Sequence, residues 1–212
     1  MWLPTHWTPR YLADRSRELI DRLFYPHNPW LTRGANSILE SYLRPSDIGV
    51  EYGSGKSTLW FARQVAALTS VEHDPAWFAR ISTAITEGGL GNVTYLLIQA
   101  IETAKDDAKS KYIRVVERFP LESLDFVLVD GILRAECAIA ALGHLRQGGI
   151  LILDNSNWYL PSNSHAPGSR KTEDGPASPR WAEFIRLTEE WRKVRTSDGV
   201  TDTTFFFKPM FH

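Results

Sequence analysis

Residues 47–58 read Asp47-Ile48-Gly49-Val50-Glu51-Tyr52-Gly53-Ser54-Gly55-Lys56-Ser57-Thr58, and a second run closes at Val71-Glu72-His73-Asp74-Pro75. An apolar run ends in an acid, a glycine turn follows, then a helical segment, then another apolar run ending in an acid. The pattern predicts strand, turn, helix, strand, with a carboxylate at the carboxyl end of each strand. Such a βαβ unit is half of a site for a nucleoside-bearing cofactor.

Downstream, Asp74 can cap a helix with Pro75 at its first position; Trp77, Phe78, Ile81 and Ile85 share its apolar face, and Gly88-Gly89 ends it. Residues 92–98 read as a third strand. Residues 102–119 are charged and irregular, with a short helix near 111–117. Leu124-Asp125-Phe126-Val127-Leu128-Val129-Asp130-Gly131 is an apolar strand ending in an acid, and an Ala-rich helix follows over 136–145. Gln147-Gly148-Gly149 turns the chain into a fifth strand, which ends Asp154-Asn155. Strands this continuously apolar need cover on both faces, which crossover helices supply. Residues 160–179, rich in Pro, Gly and Ser, read as a long mobile loop, either hanging over the site or a plain surface excursion. After a helix over 180–190, strands near 191–196 and 203–208 flank Ser197-Asp198-Gly199, a turn that implies an antiparallel pair.

Upstream, Leu12, Leu19, Ile20, Leu23 and Phe24 recur at helical spacing before Pro26. Thr32 can cap a second helix bearing Ala35, Ile38, Leu39, Tyr42 and Leu43. The predicted fold is therefore α/β, a three-layer doubly wound, seven-stranded and mostly parallel sheet with a C-terminal antiparallel pair. Two N-terminal helices in 1–45 precede the main domain, 46–212, as packing cover or as a partial lid.

At 212 residues the chain can bury roughly 70% of its unfolded surface, enough for one compact unit. A net charge of −1 offers no field strong enough to hold a nucleic-acid backbone, so no nucleic-acid partner is expected. The one cysteine, Cys137, cannot form an internal disulfide and reads as core. No apolar run is long enough to span a membrane and the first residues lack a secretion signal, so a cytoplasmic protein without a membrane partner is expected.

Three chemistries compete for the glycine turn. Gly55-Lys56-Ser57 matches the end of the phosphate-binding G-x-x-x-x-G-K-[ST] loop, but that loop needs glycine where Val50 stands, and Glu51 would set an acid beside the phosphates. A nicotinamide dinucleotide site gains from Gly53-x-Gly55 and from Glu72, but Thr58 replaces the third glycine and no second domain presents a hydride acceptor. The third reading uses every feature. Glu51-x-Gly53-x-Gly55-x-Ser57 resembles the acid-x-Gly-x-Gly-x-Gly turn of class I S-adenosylmethionine-dependent methyltransferases, Ser57 replacing the last glycine. The resemblance continues through Val71-Glu72-His73-Asp74, Leu128-Val129-Asp130-Gly131, the fifth strand and the final antiparallel pair, covering roughly 46–208.

A cofactor with a zwitterionic end and a cationic sulfur wants carboxylates and bare backbone. Glu51 would supply charge, and Gly53 and Gly55 close approach. Glu72 would accept the ribose hydroxyls. By the resemblance, Tyr52 and Ser57 belong to the same cradle, His73 flanks the adenosine, and Gln99-Ala100 stands where the family often has an Asp-Ala pair reading the adenine. Asp130 faces the methionine end and the acceptor, and Asp130 and Asp154 are the acids that can take an acceptor's proton. With Asn155 they also resemble the ligands of magnesium-dependent catechol-type enzymes, although Leu133 replaces the lysine of that pattern and Arg134 comes one position late; Mg²⁺ is thus an option not favoured. The absence of an Asn/Asp-Pro-Pro-aromatic turn after Asp130 and the near-neutral charge point to a small-molecule acceptor. The alternative is a module that binds the cofactor without transferring its methyl group.

Overall fold

The computed structural model describes residues 8–99 and 106–210. In chain order the elements are α1 (Pro9–Phe24), α2 (Arg33–Tyr42), β1 (Ile48–Tyr52), α3 (Lys56–Ala62), β2 (Ala67–Glu72), α4 (Pro75–Glu87), β3 (Val93–Leu97), α5 (Asp106–Ile113), β4 (Leu124–Val129), α6 (Arg134–Ala141), β5 (Leu145–Leu153), α7 (Pro179–Leu187), β6 (Arg192–Ser197) and β7 (Asp202–Phe207). The seven strands form one sheet in the order β3-β2-β1-β4-β5-β7-β6; β1 to β5 run parallel, and β7 is antiparallel to both β5 and β6. The strand order reverses between β1 and β4. In an open α/β sheet the crevice for a ligand forms at such a switch point, beyond the carboxyl ends of the strands.

Alternation along the strands builds two cores. Val50, Val127, Val129, Leu151 and Leu153 meet α6 and α7 on one face. Phe126, Leu128, Ile150 and Ile152 meet Ala35, Leu39, Trp60 and Phe61 of α2 and α3 on the other. Phe126 stacks on Phe61 at 4.9 Å and crosses β1 at Gly49, where a Cβ would fall 2.1 Å from the ring. Thr8, Thr32, Asp74 and Ser178 cap α1, α2, α4 and α7 through their side-chain oxygens.

Several expected boundaries move. The helix after β4 begins at Arg134 rather than 136 and ends at Ala141, and β5 already starts at Leu145, pairing with Leu124 before a register shift. The helix anticipated near 111–117 is α5 followed by a 3-10 turn at Arg114–Arg118. Residues 160–178 are pinned, not loose. Ser164 Oγ donates to Asp202 Oδ1 at 2.8 Å, Arg170 N to Asn157 O and Ala177 N to Tyr159 O. The first helix forms where predicted, but its apolar residues face outward; Leu12, Leu19, Ile20, Leu23 and Phe24 are exposed and Glu18 is its one buried residue. Among the described residues no helix is long and apolar enough to cross a membrane.

Gly49→Ala should force Phe126 out of its slot and lower the unfolding free energy by about 1–3 kcal/mol in urea titration.

Candidate active site at the β1–β4 switch point

Two glycine turns meet at the crevice. Gly53 has φ +88°, and a Cβ on it would lie 2.6 Å from both Cα and N of Gly131. A side chain on Gly131 would strike the Tyr112 hydroxyl at 2.2 Å. Gly53 thus serves the contact between the β1 and β4 turns. Gly55 differs, being extended (φ 174°), and the nearest atom to a Cβ there is Ser57 Oγ at 3.9 Å. No neighbouring protein atom requires glycine at that position.

Glu51 lies beneath the turn, fully buried, and accepts from Ser57 Oγ (2.5 Å), Thr58 Oγ1 (2.5 Å) and Ser70 Oγ (2.6 Å). Desolvation raises its pKa to about 7, against the three hydroxyl donors that favour the charged form. Thr58 Oγ1 also accepts from Gly55 N at 2.9 Å, which explains a threonine where a dinucleotide loop has its third glycine. Ser57 and Glu51 therefore bolt the turn from below instead of lining its open side. Tyr52 points into the core, its hydroxyl donating to Ile113 O at 2.6 Å and its ring 5.6 Å from Tyr112. Only its backbone reaches the crevice, where Tyr52 O accepts from Asp130 N at 2.8 Å.

Glu72 at the end of β2 is almost wholly buried. Oε1 accepts from His73 N (2.7 Å) and Asp74 N (2.9 Å), and Oε2 from Ser54 N (3.1 Å) and Ser54 Oγ (2.7 Å). These four bonds fill the acceptor capacity of a carboxylate. Three come from fixed amides, so the Ser54 hydroxyl is the one donor that a side-chain rotation can exchange. Ser54 also pairs with Tyr95 OH at 2.6 Å, and its carbonyl accepts from Trp77 Nε1 at 2.7 Å. His73 Nδ1 sits 2.8 Å from Glu72 Oε1 but is too poorly aimed for a hydrogen bond. Gln99 is exposed just past β3; Ala100 lies outside the described residues.

Register places Asp130 and Asp154 side by side, one residue beyond the paired ends of β4 and β5. Asp154 is buried, accepts from Thr203 Oγ1 at 2.7 Å, and has its pKa raised to about 7 by desolvation and then by the neighbouring Asp130. Asp130 is more open, and burial at the foot of the crevice still raises its pKa against the pull of Arg134. Arg134 is the residue that sequence reasoning undervalued. Its Nε donates to Gly131 O (2.9 Å), Nη1 to Asp154 O (2.6 Å) and Asn155 Oδ1 (3.0 Å), and Nη2 to Asp130 O (2.7 Å) and Oδ1 (2.9 Å). All five guanidinium donors are used. On either side of this fork Leu133 (φ +50°) and Asn155 (φ +49°) take the left-handed conformation, costly for a leucine and the kind of strain that collects at functional sites. The signal was an arginine four residues after a strand-end acid.

The donor set does not suit a magnesium ion. Asp130 Oδ1 and Asn155 Oδ1 are held by the guanidinium and Asp154 Oδ1 by the Thr203 hydroxyl, so one oxygen of each side chain that a metal would need is already engaged. Among the described residues no group of three His, Cys, Asp or Glu side chains gathers around a common point. Lys56 donates to Pro26 O at 2.8 Å and lies 5.4 Å from the Trp30 ring, tying the glycine turn to the α1–α2 connection.

Glu51 gives a pH test. Its folded carboxyl keeps the proton to about pH 7, whereas in the unfolded chain it releases it near the ordinary value of 4.5. The native state is then favoured most below pH 4.5, and that contribution is lost as pH rises through 7. Glu51→Gln should flatten stability against pH across this window in parallel urea titrations. Arg134→Lys, which keeps the charge and loses the fork, should lower the unfolding free energy by about 2 kcal/mol.

No family model and no curated protein matches the chain. Among solved structures, a methyltransferase-like protein from Silicibacter pomeroyi is 20% identical, with 86% of this chain and 89% of that one covered and a TM-score of 0.58. An rRNA methylase from Streptococcus thermophilus is 13% identical (84% and 95% covered, TM-score 0.54), and M. jannaschii TYW2, in complex with AdoMet, is 12% identical (84% and 78%, TM-score 0.50). An rRNA methylase on this fold overturns the expectation that a small molecule, with no nucleic acid, is the partner. The acceptor is not fixed by a fold, and the net charge of a whole chain does not report on a local surface. At these identities the likeness is one of fold, and the fold is that of the class I methyltransferases.

Proposed function

We propose that the chain is an S-adenosylmethionine-dependent methyltransferase. The observation that carries this reading is the crevice between β1 and β4, where the Gly53 and Gly131 turns touch and the ends of β1, β2, β4 and β5 all carry acids. The residues present fit the cofactor with one restriction. Glu72 has a single exchangeable partner, Ser54 Oγ, so it takes one ribose hydroxyl rather than two. The uncrowded backbone at Gly55 admits close approach, and His73 and Gln99 stand beside the adenosine. Glu51, Tyr52 and Ser57 act from below, by holding the turn in place. Asp130, the more open acid, faces the methionine end.

When bound, S-adenosylmethionine supplies an electrophilic methyl group on a sulfonium that is its own leaving group. The chain's part is then to align the acceptor, exclude water and take a proton where the acceptor has one. Asp130 is placed for that, with Asp154 beside it, its pKa raised to about 7 by burial and then by Asp130, and Arg134 keeping both strand ends in register. Burial that raises the Asp130 pKa above the ordinary carboxylate value makes it a stronger base for that transfer.

Calorimetry of the purified protein with S-adenosylmethionine should give saturable binding, weakened about tenfold or more in Glu72→Ala by loss of a charge-assisted hydrogen bond. Supplied with RNA and small-molecule pools in turn, the protein should form S-adenosylhomocysteine with one of them. Binding with no product from any pool would leave a cofactor-binding module, and no binding would remove the proposal.

A further inference from the structure

The orientation of α1 is inverted for a helix that covers a globular core. At about 100° per residue, Leu12, Leu19, Ile20, Leu23 and Phe24 fall within an arc of roughly 140°, and all five point outward, with Leu23 at 79% and Phe24 at 77% exposure. The charged residues sort by sign around this arc. Arg10 and Arg17 line one long border and Arg15 and Arg22 the other. Asp14, Glu18 and Asp21 occupy the opposite side of the helix.

On the Arg10 and Arg17 border exposure follows the same division. The side chains of Arg10 and Arg17 are 65% and 77% exposed, against 15% for Asp14 and 7% for Glu18. The inward acids contact the body of the protein or tie back the arginines. Asp14 packs against Gly199 of the β6–β7 turn, Asp21 pairs with Arg33, and Glu18 is held between Arg15 and Arg22. Beneath this charged side runs a groove of about 970 Å³, lined by Arg33, Asn36 and Asp198 together with Ile20, Trp30 and Leu31.

We propose that α1 is a membrane-surface helix, docking the protein on a lipid leaflet that carries anionic headgroups. An outward apolar face bordered by cations on both sides, with acids turned away, complements such a surface. The apolar side chains enter the acyl boundary while the guanidiniums reach the headgroups. The helix lies on the bilayer and does not span it. A second copy is a poorer occupant, because pairing two of these faces, parallel or antiparallel, sets arginine borders against arginine borders. The proposal is independent of methyl transfer.

Flotation of the full chain with vesicles tests it. The protein should float with phosphatidylcholine/phosphatidylserine vesicles at least about tenfold better than with phosphatidylcholine alone, and the difference should collapse in high salt. Leu19→Asp/Leu23→Asp should abolish flotation and Arg10→Gln/Arg17→Gln should weaken it several-fold. All four sites are exposed, so thermal melts should match the unaltered protein. If flotation with the anionic vesicles is absent, equals that with phosphatidylcholine, or survives Leu19→Asp/Leu23→Asp, the proposal fails. A dimer in sedimentation velocity that Leu23→Asp dissolves, without vesicle binding, would assign the face to a second copy and also overturn it.

Discussion

The contact between Gly53 and Gly131 sets the geometry of this molecule's working end. Two strands that diverge in connectivity, β1 toward β2 and β4 toward β5, are brought together at their carboxyl ends without a side chain between them. Everything around the contact holds it. Tyr112 closes it from below, and Tyr52 O takes the Asp130 amide across it. Glu51 anchors the β1 turn through three hydroxyls, and Arg134 anchors the β4 turn through five donors. The crevice is therefore shaped by buried polar bonds rather than by apolar packing, and such networks are costly to break in part.

Burial also divides the acids by role. Glu51 and Asp154 sit where ionisation is opposed, and each titrates near neutrality. Glu72 is equally buried but receives three backbone amides and a hydroxyl. Four acids at four strand ends look alike in sequence and have four different surroundings. Asp130 is the one that combines openness, a raised pKa and a place directly above the glycine contact.

The sheet was legible because its strands are continuous apolar runs closed by acids and glycine turns, and because Asp74-Pro75 and Thr32 are strong helix starts. The seven-stranded, mostly parallel sheet with its antiparallel end followed from that rhythm together with the Ser197-Asp198-Gly199 hairpin. The side-chain directions at the site were less legible. Nothing local in Glu51 announces that Ser57, Thr58 and Ser70 converge on it, since Ser70 comes from the next strand over. Arg134 could not be valued before Asn155 and Asp154 were known to lie beside Asp130. The 160–178 segment, poor in large apolar residues, looked loose because its anchors are hydroxyl and backbone bonds to Asp202, Asn157 and Tyr159. For α1 the periodicity located the helix correctly but said nothing of which way its apolar face would turn. That direction depends on what the rest of the chain leaves for it to pack against.

The central claim, that the meeting of the two glycine turns is where a cofactor binds, is tested most directly by NMR. With backbone amides assigned, titration of S-adenosylmethionine should shift the resonances of Gly53, Ser54, Gly55, His73, Asp130 and Gly131 together and with one dissociation constant. Shifts confined to other parts of the chain, or none at millimolar ligand, would contradict it.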